Sequence, residues 1–453
     1  MKVVVIGHGS TGWTAATTLR AWDRKCEITV IDMKNYDVYH PCAMPYVIGG
    51  LFEDETAIIE KLNYERMKIN FLRKHKATKI DRENRIIKAI SLETNEEVDL
   101  EYDYVIIATG SKAKLPPIEG IKEGKNVYAL KWIEDSEKIR KAAENAKNVV
   151  VIGASAIGLE VATELAHRGI DTKVLVRSRI MRLLVDPDYG EIIVKLLEER
   201  LPKLKFLLGI NAQKLVLNDE GYVTKVITTE GEELETDLVI AAAGVAPEVT
   251  LAKEAGLEIG ETGAIVTDEE LRTSDKNILA IGDCAETLHL VSKKPVNSAL
   301  ATCGVRMSRV AAMTIAKPGT LKFPGTLNNF IVPYIDIRVG SVGLTETAAK
   351  ELGFETASAK IKTFDKPHYM PDKTDFYFKL IVDKQTDKIL GAQAIGSDYT
   401  ITNLNIVALA LQKEMTFQEL LEADLSYAPA VNETIYPVTQ ALEFIARKVL
   451  RKR

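Results

Sequence analysis

The feature that most constrains this chain is a strand, turn, helix and strand unit that occurs twice. Residues 3–7 read VVVIG and residues 149–153 read VVVIG again. Each run opens a turn rich in Gly, Ala and Ser, continues into a helix-like stretch, and reaches a second β-branched run, ITVID (28–32) or KVLVR (173–177). Continuous apolar strands of this kind are buried on both faces, which belongs to parallel sheets covered by helices. At roughly 150 residues per domain, the 453 residues leave room for about three domains. Two of them are α/β units built on the repeat.

The segments around the repeats have a different period. HKATKIDREN (75–84), EEVDLEYD (96–103) and residues 213–236 alternate in polarity, as solvent-facing antiparallel strands do. YVIIATGSKAKLPP (104–117), LVIAAAGVAPE (238–248) and NILAIGDCAET (277–287) read as buried strands ending in turns, with Pro116-Pro117 as a hinge. From about residue 326 the pattern changes to strands followed by two amphipathic helical stretches, an α+β domain. The basic end RKVLRKR (447–453) reads as a solvated helix terminus.

The first turn, Gly7-His8-Gly9-Ser10-Thr11-Gly12, follows its strand directly, and Asp32 closes the next strand. Gly7 permits the tight turn, Gly9 lets a pyrophosphate reach the backbone, and Gly12 lets helix and strand pack closely, while the helix N-terminus supplies N–H donors. Asp32 stands where a carboxylate accepts from ribose hydroxyls. Strand, helix and acid together predict a dinucleotide site.

In the second turn, Gly153-Ala154-Ser155-Ala156-Ile157-Gly158, Ser155 replaces the middle glycine. Serine is small enough to tolerate a phosphate and can donate its hydroxyl to it. The closing strand ends at Arg177, followed by Ser178 and Arg179. An acidic residue there would hold a free ribose 2′-OH, whereas arginine pairs with a 2′-phosphate. The alternative is a solvated strand end.

Composition removes other classes. Lys plus Arg (59) and Asp plus Glu (64) nearly cancel to a formal −5, so no basic field draws the chain to nucleic acid or an anionic membrane. Apolar runs such as VVVIG fall far short of the roughly 18 residues of a spanning helix, and the chain runs from Met1 straight into a strand with no secretory pattern. A cytoplasmic location is expected. Cys26, Cys42, Cys284 and Cys303 show no paired zinc spacing, and no metal site is expected.

Two dinucleotide units, with Ala108-Thr109-Gly110 after the first half and Gly282-Asp283 late in the chain, resemble the two-dinucleotide-binding flavoprotein disulfide reductases over essentially the whole length. The resemblance implies an FAD-binding domain in two parts (1–115 and 247–325), an NAD(P)H-binding domain (116–246), and a C-terminal dimerisation domain (326–453). It implies FAD at Gly7, Gly9, Ser10, Thr11, Gly12, Asp32, Met33, Ala77, Ala108, Thr109, Gly110, Gly282, Asp283 and Ala299. It implies the nicotinamide cofactor at Gly153, Ala156, Ile157, Gly158, Glu160, Arg177, Ser178 and Gly244. The arginines make NADPH the expected choice, with NADH also admitted.

Glutathione and lipoamide reductases carry a CxxxxC pair where this chain reads Cys42-Ala-Met-Pro-Tyr-Val47, so the second thiol is missing. They also need a C-terminal His-Glu pair, and all six histidines here lie before residue 369. HPCAMPYVIGG (40–50) instead resembles the single-cysteine branch: coenzyme A disulfide reductases, NAD(P)H oxidases, NADH peroxidases and sulfur or polysulfide reductases. A thiolate at a helix start and near the flavin is expected to have a lowered pKa and to attack a disulfide or polysulfide sulfur. A lone cysteine is otherwise a small core residue, the reading given to the other three.

Within the branch, Ser10 stands where peroxidases carry histidine, and His8 reads as structural. Ala156 replaces an aromatic gate, which implies easier access for oxygen. Tyr369-Met-Pro371 and Tyr427-Ala-Pro429 are similar to elements with which coenzyme A disulfide reductases place two tyrosines near the partner subunit's cysteine, and phenols there donate protons to a departing thiolate. Core or interface packing is the alternative for both. No rhodanese-like domain is expected after the C-terminus. The resemblance implies a homodimeric FAD-dependent reductase of coenzyme A disulfide, persulfide or polysulfide. The alternatives are an oxidase, or an electron-transfer flavoprotein serving a small protein such as a rubredoxin.

Overall fold

The two VVVIG runs become the central strands of two parallel sheets. In the computed structural model, which describes residues 1–451, strand Lys2–Ile6 lies between Glu27–Ile31 and Tyr104–Ile107, with Ile69–Leu72 and Ile278–Ala280 on the outside. Strand Asn148–Ile152 lies between Asp171–Val176 and Leu238–Ala241, with Leu204–Leu208 and Val127–Tyr128 outside. The registers correspond: Ile6 faces Ile31 and Ile107, and Ile152 faces Leu175 and Ala241. Both glycine turns therefore leave the carboxyl edge of a sheet, where open α/β sheets bind ligands. The last two residues of the basic C-terminal run lie outside the described residues.

Local sequence explains the covering helices. Helix Ser10–Trp22 buries Gly12, Ala15, Ala16 and Leu19, the spacing of one helical face, and packs beside helix Ala301–Ala316. Helix Ala156–His167 starts at Ser155, whose side chain accepts from the Gly158 N–H. Both sheets are saturated with Val and Ile that are almost wholly buried, each worth roughly 1.5–3 kcal/mol.

The alternating segments form antiparallel sheets as expected: His75–Asp81 with Ile86–Ser91 and Glu97–Glu101, and Ala212–Leu217 with Val223–Thr228 and Glu233–Glu235. The chain leaves the first unit and returns to it through an antiparallel pair, Ser111–Ala113 with Val245–Pro247, just ahead of Pro116-Pro117. The C-terminal sheet is antiparallel, ordered Phe330–Tyr334, Ile337–Gly343, Ile389–Gly396, Asp375–Asp383 and Thr356–Phe364. Helices Tyr399–Gln412 and Pro437–Leu450 cover it. Phe330, Tyr334, Ile337, Val339 and Ile395 belong to the hydrophobic core of the second parallel unit, so this sheet is packed onto that domain. No described helix is long and apolar enough to cross a membrane.

Candidate active site

The first turn uses its glycines in three different ways. Gly7 has φ +107°, and a Cβ on it would lie 2.2 Å from the Ala108 carbonyl oxygen; a Cβ on Gly12 would lie 2.0 Å from the Gly7 oxygen. A Cβ on Gly9 would meet nothing within 4 Å. Helix Ser10–Trp22 has no side-chain cap at Gly9, so its first-turn N–H groups are left without a side-chain partner there. This cradle fits a pyrophosphate. The Asp32 carboxylate accepts from the His8 and Lys34 N–H groups and lies 3.3 Å from Lys34 Nζ, which leaves acceptor capacity for hydroxyls. Met33 is exposed, and a bond from His75 N to Asp32 O brings the strand carrying Ala77 alongside.

Two threonines of the implied flavin set face inward. Thr11 packs on Gly282 and Gly304, and Ser308 Oγ donates to its carbonyl. Thr109 Oγ1 donates to Glu248 O at 2.6 Å, and Gly110 takes the left-handed φ of +71°. Ala299 is exposed just ahead of helix Ala301–Ala316. Asp283 accepts from Ser111 Oγ at 2.7 Å and lies 3.6 Å from Lys131 Nζ, which itself donates to Ser111 Oγ at 2.7 Å. Sequence reading does not single out Lys131 or Ser111, because neither sits in a spaced motif; only the meeting of three chain segments brings them to Asp283.

At the second turn, Gly153 (φ +106°) and Gly158 are required by packing, their Cβ positions falling 2.6 Å from Ala242 O and 2.5 Å from Gly153 O. Ser155 caps its own helix: its hydroxyl accepts from Gly158 N and donates to Ala242 O, both at 3.3 Å. Ile157, Gly244, Arg177 and Ser178 are exposed, Ala156 is half-buried, and the space over Gly244 is open. The Arg179 guanidinium turns back to donate to Val185 O.

Cys42 lies in the short turn Pro41–Ala43 that leads into helix Met44–Gly49. It is exposed, while Cys26, Cys284 and Cys303 are buried. Helix Met44–Gly49 packs on helices Ile133–Ala143 and Ala156–His167 of the second unit, and Tyr39 Oη donates to Lys131 O. The expected lowering of the thiol pKa is corrected by its surroundings. Partial burial, Glu160 and Asp283 push it up, and Lys131 opposes them. A short helix start does not outweigh partial burial, which is the main cause, together with Asp283 and, once it ionises, Glu160.

Glu160 is itself unusual: burial, with Glu164 one turn away, pushes it up to about 8, so it holds its proton at neutral pH. His8 is wholly buried against Trp13, Tyr64 and Phe71 and is lowered by burial to about 4, in keeping with a structural role. Tyr369 and Tyr427 are 60% and 44% exposed with hydroxyls 3.4 Å apart. Neither makes a hydrogen bond to Cys42 of its own chain among the described residues.

Residues 1–307 match the family model for pyridine nucleotide-disulphide oxidoreductases, and residues 330–438 match that family's dimerisation domain. A Pyrococcus horikoshii protein named NAD(P)H coenzyme A polysulfide/persulfide reductase is 34% identical over 457 residues, 98% of each chain. A Methanocaldococcus jannaschii protein named NADH oxidase is 32% identical over 458 residues, 100% of each chain. The solved structure of a NAD-dependent persulfide reductase from A. fulgidus is similar with a TM-score of 0.94 and 33% identity, covering 99% of this chain and 83% of that one.

Proposed function

The chain belongs to the pyridine nucleotide-disulphide oxidoreductase family, and from that premise we propose that it is a homodimeric FAD enzyme using NAD(P)H to reduce coenzyme A disulfide, persulfide or polysulfide at Cys42. The observation that carries the reading is the place of Cys42. It is the exposed cysteine of four, on a turn of the first dinucleotide unit that leads into a helix packed on the second, with Asp283 of one unit and Glu160 of the other acting on its charge. The single-cysteine substrate class is supported by the name of the Pyrococcus horikoshii relative.

In this reading the cradle over Gly9, with Asp32 and Asp283, holds FAD, and the exposed Arg177 and Ser178 favour NADPH over NADH. The flavin, when bound, would supply the electron pair, drawn from the pyridine nucleotide, that opens the disulfide formed between Cys42 and the substrate and returns Cys42 to its thiolate. The chain supplies the rest. Cys42 Sγ, as thiolate, bonds to one sulfur of the substrate while the substrate's own sulfur–sulfur bond breaks and the other half leaves as thiolate. Lys131 stabilises the Cys42 thiolate against burial and the Asp283 carboxylate. Tyr369 and Tyr427 of one subunit reach Cys42 of the other, and one phenol donates a proton to the departing thiolate. Their exposure, and the absence of a hydrogen bond from either to Cys42 of its own chain among the described residues, support this crossing.

The test is anaerobic NAD(P)H oxidation with coenzyme A disulfide, coenzyme A persulfide, polysulfide and glutathione disulfide, followed by oxygen and peroxide. Turnover on coenzyme A or polysulfide sulfur well above that on oxygen is expected. Turnover on oxygen alone, unaffected by Cys42→Ser, would replace the reading with an oxidase, which Ala156 in place of an aromatic ring and the Methanocaldococcus jannaschii relative's name favour.

A further inference from the structure

The loop 177–186 runs from strand Asp171–Val176 to helix Pro187–Arg200 and carries Arg177, Ser178, Arg179 and Arg182. Two different parts of the molecule hold it. On one side, Met181 N donates to Ala154 O at 2.9 Å, fastening the loop to the second glycine turn. On the other side, the ties run to the C-terminal domain. Ser341 Oγ donates to Leu184 O at 2.7 Å, and Tyr334 Oη lies 3.4 Å from Met181 Sδ.

The strongest tie is Asp186, 1% exposed. Its carboxylate accepts from Gln393 Nε2, from Glu346 N (2.9 Å), from Thr347 N (3.0 Å) and from Thr347 Oγ1 (2.7 Å), and lies 3.0 Å from Lys379 Nζ. Its own N–H donates to Gln393 Oε1 at 2.8 Å. Lys379 is 5% exposed and also meets Glu346 at 2.9 Å and Asp188 at 3.5 Å.

A buried ion cluster is weak evidence of stability, because desolvation offsets its attraction; its demonstrated use is to specify one arrangement over others. Here the specified arrangement is a loop whose Met181 sits at φ +44°, a left-handed conformation that persists only where surroundings over-determine it. A guanidinium must be held within a fraction of an ångström to pair with a phosphate, and a residue that fixes the backbone beneath it acts on recognition without touching the ligand.

We propose that Asp186, clamped by Gln393, Lys379 and the Glu346–Thr347 backbone, is a positioning residue for the Arg177–Arg182 loop, so that the C-terminal domain sets the preference for a 2′-phosphorylated nucleotide. This rests on the reading that the loop recognises that phosphate.

The test measures binding of 2′,5′-ADP and 5′-AMP to the FAD-loaded dimer by calorimetry, for wild type, Asp186→Asn and the milder Ser341→Ala. The amide of Asp186→Asn sets an NH₂ against Lys379 and Gln393, and Ser341→Ala removes one hydrogen bond and leaves the cluster intact. Asp186→Asn should lower the 2′,5′-ADP to 5′-AMP preference about ten-fold, and Ser341→Ala about three-fold. Binding of 5′-AMP and kcat at saturating NADPH should stay within about two-fold in Ser341→Ala. An unmoved ratio in both variants, or equal losses for both nucleotides, overturns the positioning role while leaving the NADPH reading standing. A wild type that binds both nucleotides alike overturns the NADPH reading and this inference with it. Where Asp186→Asn does not fold, Ser341→Ala alone decides.

Discussion

Replacing Glu160 with glutamine tests whether a neutral carboxyl sits beside Cys42. Burial and Glu164 raise Glu160 from its ordinary 4.5 to about 8. In the unfolded chain the group ionises near 4.5, so the fold is favoured by the full difference below that pH. The advantage then falls as pH rises and is gone above about 8. At 1.36 kcal/mol per unit, the whole span amounts to roughly 4–5 kcal/mol as an upper bound, reduced to about 2–4 if water and side chains relax around the charge. Glu160→Gln, an isostere of the protonated form, removes this decline, so it should match wild type near pH 5, exceed it increasingly up to about pH 8 and keep a constant lead above that. Denaturation midpoints of the FAD-loaded protein at pH 5, 7 and 9 read the effect. A second readout is the alkylation rate of Cys42 against pH, because Glu160 raises the thiol only when ionised. The variant should reach full thiolate at lower pH than wild type. If both proteins give the same pH profile in stability and in alkylation, Glu160 is ionised at neutral pH and the account of this site is wrong.

Cys42→Ser should keep the yellow flavin complex and its reduction by NAD(P)H while disulfide or persulfide turnover falls by several orders of magnitude; wild-type turnover in stopped assays would remove Cys42 from the chemistry. Arg177→Glu should invert the NADPH to NADH preference, because it exchanges charge-assisted bonds of roughly 1.5–3 kcal/mol for repulsion, about ten-fold or more each way in kcat/KM; an unchanged ratio refutes it. Tyr369→Phe and Tyr427→Phe should slow thiol release more than flavin reduction in rapid-mixing experiments, and a fully active monomer in light scattering would sink both roles. Burial alone would raise Asp186, but the Thr347 hydroxyl and N–H, Lys379 and the Glu346 N–H hold it down at about 2; its contribution is present above about pH 4 and lost as pH falls towards 2, so Asp186→Asn should flatten the acid limb of the stability curve.

What the sequence carried and what it did not divide along a physical line. The twin VVVIG runs, the glycine at each sheet edge and the alternating segments are local signals, set by φ, by burial period and by the space a Cβ would need. Gly7 and Gly12 are required by the turn and by close packing, as their spacing implied, while Gly9 faces open space, and each repeat forms parallel strands. The capping of helix Ala156–His167 by Ser155 is a local signal of the same kind. The surroundings of Cys42 are not legible in the sequence, because Glu160, Asp283 and Lys131 come from three other segments and no spacing announces that their charges converge. Lys131, Ser111 and the Asp186 clamp were invisible on the same ground. A thiol whose ionisation depends on carboxylates delivered by both dinucleotide units is therefore sensitive to how those units are held together. The buried ties from Asp186 and Ser341 join the loop after strand Asp171–Val176 to the C-terminal domain, and they too lie outside every motif.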